Sequence, residues 1–407
     1  MVRLKHAIGA CVLANTLFQA IPSHTATYYV DTTGSNSNPG TATKPWLSVA
    51  HAVDIMVAGD TTYVKGGLYN EGIIRFKRSG TQSAPIKLLN YPDEVPIIHC
   101  LDPKQFHRII LEHSGGINKP MGWITIEGFE IRNCYDGIKF HSAHDFTVRR
   151  NWLHSNGPAL LGNGTRVLID RNILSNNGNE VRYSHGLYMA GTRFTITNNL
   201  IYDNGSYGIQ LNGSPSSYYD PTKSAGPEFS LSADWVIANN TLAYNRNRAG
   251  MVVWGSTCKN LRIENNIFYE NGVNLATDSV QGIDFVSTSC TGIQIRNNLA
   301  FASGAGATRF LGRGAIEGVH YMQSGNIVNV EDPRFVNAPA TLPASPKFSL
   351  TERSPAIDKG LPLAEIPTSF DGMTTRPQGR GHDIGAYEYS ADRDSQAPKQ
   401  VQNVQAR

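Results

Sequence analysis

The amino-acid sequence predicts an all-β solenoid, a stack of coils built from short strands and tight turns. The first observation is a phrase that returns through residues 123–300. It reads NWLHSNG from Asn151, NILSNNG from Asn172, NLIYDNG from Asn199 and NIFYENG from Asn266, with looser copies at Asn133, Asn240 and Asn298. The anchors step by 18 to 41 residues, so a unit of roughly 20 residues is padded by insertions, as in a solenoid whose loops leave the repeat intact. The second observation is alternation. The runs before the anchors (TVRRN, VLIDRN, FTITNN, WVIANN, LRIENN, IQIRNN) repeat their apolar residues with period two, as strands do. Third, another short strand follows each phrase: GIKF at Gly137, HGLYM at His185, YGIQL at Tyr207, GMVVW at Gly250 and GIDF at Gly282. None of these strands buries its apolar face alone, and stacking supplies the missing neighbour.

The anchor asparagine has a mechanical reason to recur. Asparagine tolerates left-handed backbone angles at a sharp turn, and a stacked side-chain amide donates to and accepts from the next coil, so a ladder is expected. With its phrase N-x-L-x-x-N-G followed by G-I-x-F or G-L-Y-M, the chain resembles the right-handed parallel β-helix proteins of the pectate-lyase-like type. The resemblance implies a right-handed parallel β-helix with an N-terminal helical cap and a C-terminal cap. It is specific for fold and not for reaction, because one fold hosts many functions.

Residues 1–26 begin with Arg3 and Lys5 ahead of an apolar run and end in small or polar residues, the pattern of a secretory leader too short to span a bilayer. A secreted, extracellular or periplasmic protein is expected, and export permits disulfides. Cys258 and Cys290 each lie 8 residues ahead of an anchor. Equal offsets in consecutive coils place them about 4.8 Å apart, within disulfide range, with a stacked reduced pair as the alternative. Cys100 and Cys134 show no such register, and no zinc spacing occurs. Residues 27–101 read as an extended strand, a Gly/Asn/Pro loop, a helix over residues 48–57 that caps the first coil, and short strands. Main coils are expected over 102–300. Residues 301–390 carry DPRFVNAPATLPASP, SPAIDKG and GHDIGAYEY, which resemble a choice-of-anchor-type closing module expected to cap the far end. Residues 391–407 read as a linker-like tail whose APKQVQNVQ resembles the opening of a fibronectin-type module. Across 407 residues the formal charge is +3 with 17% charged residues, so nothing points to nucleic acid, and a monomer is expected.

The resemblance places polysaccharide on the face of the strand after Asn-Gly. With Ile138, Phe140, Leu187, Met189, Ile209, Leu211, Met251 and Val253 inward, alternation leaves an outward row of Lys139, Leu160, Tyr188, Gln210, Val252 and Asp284. A second row holds His141, Gly162, Ala190, Asn212 and Trp254, and Glu180, Arg182 and His185 sit on a turn leading into the ribbon. Lys139 and Tyr188, two coils apart, would stand about 10 Å from each other, room for one sugar ring.

These residue types suit β-elimination of an acidic (uronate) polysaccharide, which needs a base, a cation for the carboxylate and a proton for the leaving oxygen. Lys139 is the candidate base, Tyr188 or His185 the proton donor and Arg182 the carboxylate partner. His141, Gln210 and Asn212 are candidate substrate contacts, and Trp254, Tyr218 and Tyr219 candidate stacking surfaces. Each also has an ordinary structural role open to it: a solvated lysine or arginine, a turn histidine bonded to backbone, a tryptophan shielding a coil. Hydrolysis would want paired carboxylates on the row, yet Asp284 stands there with Glu112 only at the far end. No cofactor is evident. Calcium stays possible, although no acidic cluster forms a cage. The D-P-H-D phrase of mannuronan epimerases is absent, and NGNEVR at residues 177–182 resembles only part of an N-G-x-E-x-x-R phrase of alginate-type lyases. The alternatives are a non-catalytic glycan-binding or adhesin-type surface protein and a glycoside hydrolase.

Overall fold

The computed structural model describes residues 25–102, 108–112, 119–178, 185–212, 226–229, 231–255, 258–286, 289–312 and 314–391. Residues 1–24 of the leader expected over residues 1–26, the tail beyond 391, and Glu180, Arg182, Tyr218 and Tyr219 lie outside the described residues.

Parallel strands stack into a β-helix that winds through a 17-stranded and a 10-stranded sheet. Ile138–Arg149 pairs with Leu160–Asp170, and Leu160–Asp170 with Leu187–Thr197. These long strands are bent at residues held in the left-handed region, such as Ser142 (φ 48°), Arg166 (φ 55°) and Arg193 (φ 56°), so the larger sheet presents a first and a second ribbon. The third ribbon is the smaller sheet, in which Trp152–His154, Ile173–Ser175, Leu200–Tyr202, Thr241–Ala243 and Ile267–Tyr269 follow one another in register. Period-two alternation sends Ile138, Phe140, Phe146 and Val148 of a single strand inward, where they join a core running the length of the coil stack. At its N-terminal end the helix Val49–Ile55 buries Val49, Ala52 and Val53 in that core. Ser48 caps it by accepting from His51 N, and Glu71 accepts from Val49 N (2.7 Å), placing an anion at the positive helix end.

The asparagine ladder exists twice. One runs through Asn151, Asn172, Asn199, Asn240, Asn266, Asn298 and Asn326, each Nδ2 donating to the next Oδ1 at 2.9–3.2 Å. A second joins Asn156, Asn177, Asn204, Asn245 and Asn271. Asn133 is outside both and faces His99 instead. The left-handed residue is also not the anchor but the one before it: Arg150, Arg171, Asn198, Asn239, Asn265 and Asn297. The preceding residue turns the chain, and the anchor amide satisfies the backbone groups that the turn turns inward.

Cys258–Cys290 is a disulfide across neighbouring coils, with Cα atoms 4.7 Å apart. Cys100 and Cys134, which had no evident register in the sequence, are also bridged (Cα–Cα 4.9 Å). Strand Pro96–Cys100 pairs with Glu130–Arg132, so the coil in between, lengthened by insertion, brings them side by side.

Residues 301–390, expected to close the coil stack, pack along its side from Phe335 onward. Phe335, Phe348, Ala356, Phe370, Ile384 and Ala386 lie against Ile173, Leu200, Ile267 and Leu299, along the outside of the third ribbon. Those ribbon positions are apolar and outward-facing, so they need a cover, and the module supplies it. Ile316, Val319, Met322 and Val330 in and beside the last coil remain exposed. A buried ion pair, Arg376–Glu388 (2.7 Å), ties the module together, and Arg376 also donates to Asn198 Oδ1 (3.2 Å).

Candidate functional site

The first ribbon carries the candidate residues, and its register corrects two of them. Lys139 pairs with Leu161, Leu161 with Tyr188, Tyr188 with Gln210, Gln210 with Val252 and Val252 with Asp284. Leu161 therefore replaces Leu160 in the outward row, and Leu160 points into the core. In the second row Asn163 replaces Gly162, since Asn163 pairs with Ala190. The slip has a local cause. The neighbouring coils mark the strand start with glycine, where an added Cβ would meet the next coil's carbonyl oxygen at 2.5 Å (Gly137), 2.6 Å (Gly186) or 2.7 Å (Gly208). In this coil Ala159 stands there, and the frame is lost to the eye.

Outward placement here does not mean exposure. Lys139 is only 8% exposed, between the apolar Ile110 and Leu161 of adjacent strands, and Tyr188 is equally covered. Asn212 is buried, and its Nδ2 donates to the Tyr188 hydroxyl (3.1 Å). Gln210 is buried beside Tyr188, His141 is half-buried, and Trp254 is exposed next to Asn212.

His185 is buried at the head of the strand, with its ring 5.4 Å from Tyr188 and stacked 5.9 Å from Tyr207. Its Nδ1 has no hydrogen-bond partner among the described residues. Burial first, and the positive Arg248 second, push its pKa down to about 3, so the ring is neutral at physiological pH, with one nitrogen that accepts and one N–H that donates. The Tyr207 hydroxyl donates to Asp284 Oδ2 (3.0 Å), and burial pushes that hydroxyl up. Tyr207 and Arg248 escaped sequence reasoning because they sit on the turn before the strand, outside the alternating row. The signal was their position one and two residues ahead of the strand-start stretch, where His185 also sits.

Chemically, the ribbon offers a covered amine and, two coils away across Leu161, a neutral imidazole and a phenol on one coil, with an exposed guanidinium, Arg248, near the imidazole. Asp284 is the row's one carboxylate among the described residues, and Tyr207 engages it. Among the described residues no group of His, Cys, Asp and Glu is arranged to hold a metal ion, and no helix is long and apolar enough to cross a membrane.

Residues 109–335 match the right-handed β-helix region family, and residues 28–178 match the Pel9A-like right-handed β-helix region. The chain belongs to the right-handed β-helix family. It is 41% identical over 83 residues to pectate lyase PEL9 of Emericella nidulans, a stretch that covers 20% of each chain. With the uncharacterized protein YwoF of Bacillus subtilis it is 40% identical over 70 residues, 17% of this chain and 15% of that one. The chain thus matches at most 20% of the length of these relatives. Among solved structures, pectate lyase Pel9A superposes with a TM-score of 0.52 at 17% identity, covering 89% of this chain and 96% of that one. A rhamnogalacturonan lyase gives 0.51 at 17% identity over 80% and 96%. At that identity both establish the shared fold.

Proposed function

We propose that this protein is a secreted polysaccharide lyase that cleaves an acidic, uronate-containing polysaccharide by β-elimination on the first ribbon. One observation carries the reading: Lys139 and Tyr188, two coils apart on the outward row with Leu161 between them, and His185 at the head of the Tyr188 strand are all covered, with Gln210, Asn212 and Arg248 beside the latter two. An amine withdrawn from water is the form in which lysine serves as a general base. Lys139 takes the proton from the carbon beside the carboxylate, the electron pair forms a double bond to the neighbouring carbon, and the bond to the glycosidic oxygen breaks. Tyr188 gives that oxygen its proton. Arg248 faces the substrate carboxylate, the part assigned from sequence to Arg182, while His185 accepts a hydrogen bond from a sugar hydroxyl. Trp254 offers a face for a neighbouring sugar ring. Two disulfides fit an oxidising compartment, and the relatives named as pectate and rhamnogalacturonan lyases support the substrate class.

The test is incubation with polygalacturonate, rhamnogalacturonan and alginate, with and without calcium, following the ultraviolet absorbance of the unsaturated product. Lys139→Ala is expected to lower turnover about 10²–10⁴-fold, and Tyr188→Phe to follow it. No unsaturated product from any polymer rejects elimination. Reducing ends without unsaturation would then identify a hydrolase, and saturable binding without either product a glycan-binding protein.

A further inference from the structure

A cleft of about 360 Å³ opens elsewhere, between the third ribbon and the closing module. Its floor crosses neighbouring coils: Trp152 and His154, then Ser175, then Tyr202. The Trp152 indole N–H donates to Ser175 Oγ (3.0 Å), and the His154 ring stacks on the indole at 4.0 Å with its Nε2 3.2 Å from Glu130 Oε1. These bonds hold the aromatic surface in one orientation. Asn176 and Asp203 form one rim, both in left-handed turn positions, and Arg246 reaches Asn176 Oδ1 (3.3 Å) and Asp203 Oδ1 (3.1 Å). The closing module contributes the opposite wall through a proline-stiffened loop around Ala344.

We infer that this cleft is a second carbohydrate site, separate from the first ribbon, and that it takes a neutral sugar unit. Its volume falls in the range of small-ligand pockets, and such pockets favour the seam between two structural units. Aromatic area beside hydroxyl, amide and carboxylate groups suits a sugar ring, whose C–H face lies on the aromatics while its hydroxyls reach the polar rim. Asp203 decides the class. A uronate would bring a second negative charge against it, whereas a neutral sugar brings hydroxyl donors that a carboxylate accepts.

The inference goes beyond the reaction proposed for the first ribbon, and its readout is binding, so it stands or falls independently of elimination. The full chain is titrated by calorimetry with neutral oligosaccharides of arabinose, galactose, rhamnose, xylose and glucose, and with galacturonate oligomers. Saturable binding of a neutral member is expected, weakened about tenfold or more in Trp152→Ala. Trp152 also contributes to the packing beneath the module, so Ala344→Arg is the second variant: Ala344 is exposed, and the long side chain fills the cleft without disturbing the core. It is expected to abolish binding while melting as the parent does and retaining whatever activity the first ribbon has. Absence of binding by every neutral oligosaccharide overturns the inference. So does binding that survives both variants, or a preference for galacturonate oligomers that Ala344→Arg removes.

Discussion

The turns that close each coil and the stretch that opens each first-ribbon strand are built on opposite principles. At the turns every coil repeats itself: Asn172, Asn199, Asn240 and Asn266 are buried, and each is bonded to the coil on either side. At the strand openings, successive coils place Pro158, His185 and Tyr207 in one stack, since Ala159 N donates to His185 O and Gly186 N to Tyr207 O, and no two are alike. The ladder satisfies its polar groups internally, whereas the opening stack buries an imidazole whose Nδ1 has no partner among the described residues. A repeat that saturates its own hydrogen bonds holds the coils together. Burying an ionisable group without such compensation costs stability, and sites that do so are where chemistry is placed.

The sharpest break of this comparison is Lys139→Ala against Asn199→Ala. The first should remove about 10²–10⁴-fold of turnover on the uronate polymer and leave the melting temperature close to the parent's. Asn199→Ala should do the reverse. It orphans buried groups on Asn172 and Asn240 and the Ile169 carbonyl, so a loss of about 3 kcal/mol is expected from denaturant unfolding, with whatever activity survives keeping its KM.

Acid separates the two regions next. Unfolded, His185 takes a proton near 6.5, but the folded chain refuses it until about 3. Its contribution to stability is therefore complete above about pH 6.5 and is lost progressively as pH falls toward 3. Melting followed from about pH 7 down to about pH 4 should show this loss, and His185→Phe should flatten it. The asparagine amides do not titrate, so ladder variants should keep the slope.

The smallest effect belongs to the closing module. Burial, then Glu388, push the Asp383 carboxyl from 3.8 up to about 7. The folded chain thus holds a proton that the unfolded chain has released, and stability from this group declines as pH rises between about 4 and about 7. Asp383→Asn should remove that decline, opposite in sign to the His185 slope, in the same melting series.

How much was legible in the sequence follows from the range over which each feature is encoded. The coil phrase, the alternation and the Cys258–Cys290 register are written at fixed offsets from an anchor, so contacts one coil away could be read directly. The frame failed at Ala159, where the usual glycine is absent, and Leu160 was taken for Leu161. Lys139 and Tyr188 were visible on the outward row and His185 on the turn leading into it, but their burial was not, because what covers an outward side chain comes from other coils.

By itself the sequence determined the stacked coils, since period-two alternation and a recurring turn asparagine are written at short range and each coil needs a neighbour to bury its apolar face. Tertiary structure decided the rest. Insertions of unequal length set which distant residues meet, and no local pattern records their sum. That is why only the folded chain shows Cys100 bridged to Cys134, Tyr207 and Arg248 beside His185, and a closing module laid along the third ribbon where Ile173, Leu200 and Ile267 needed cover.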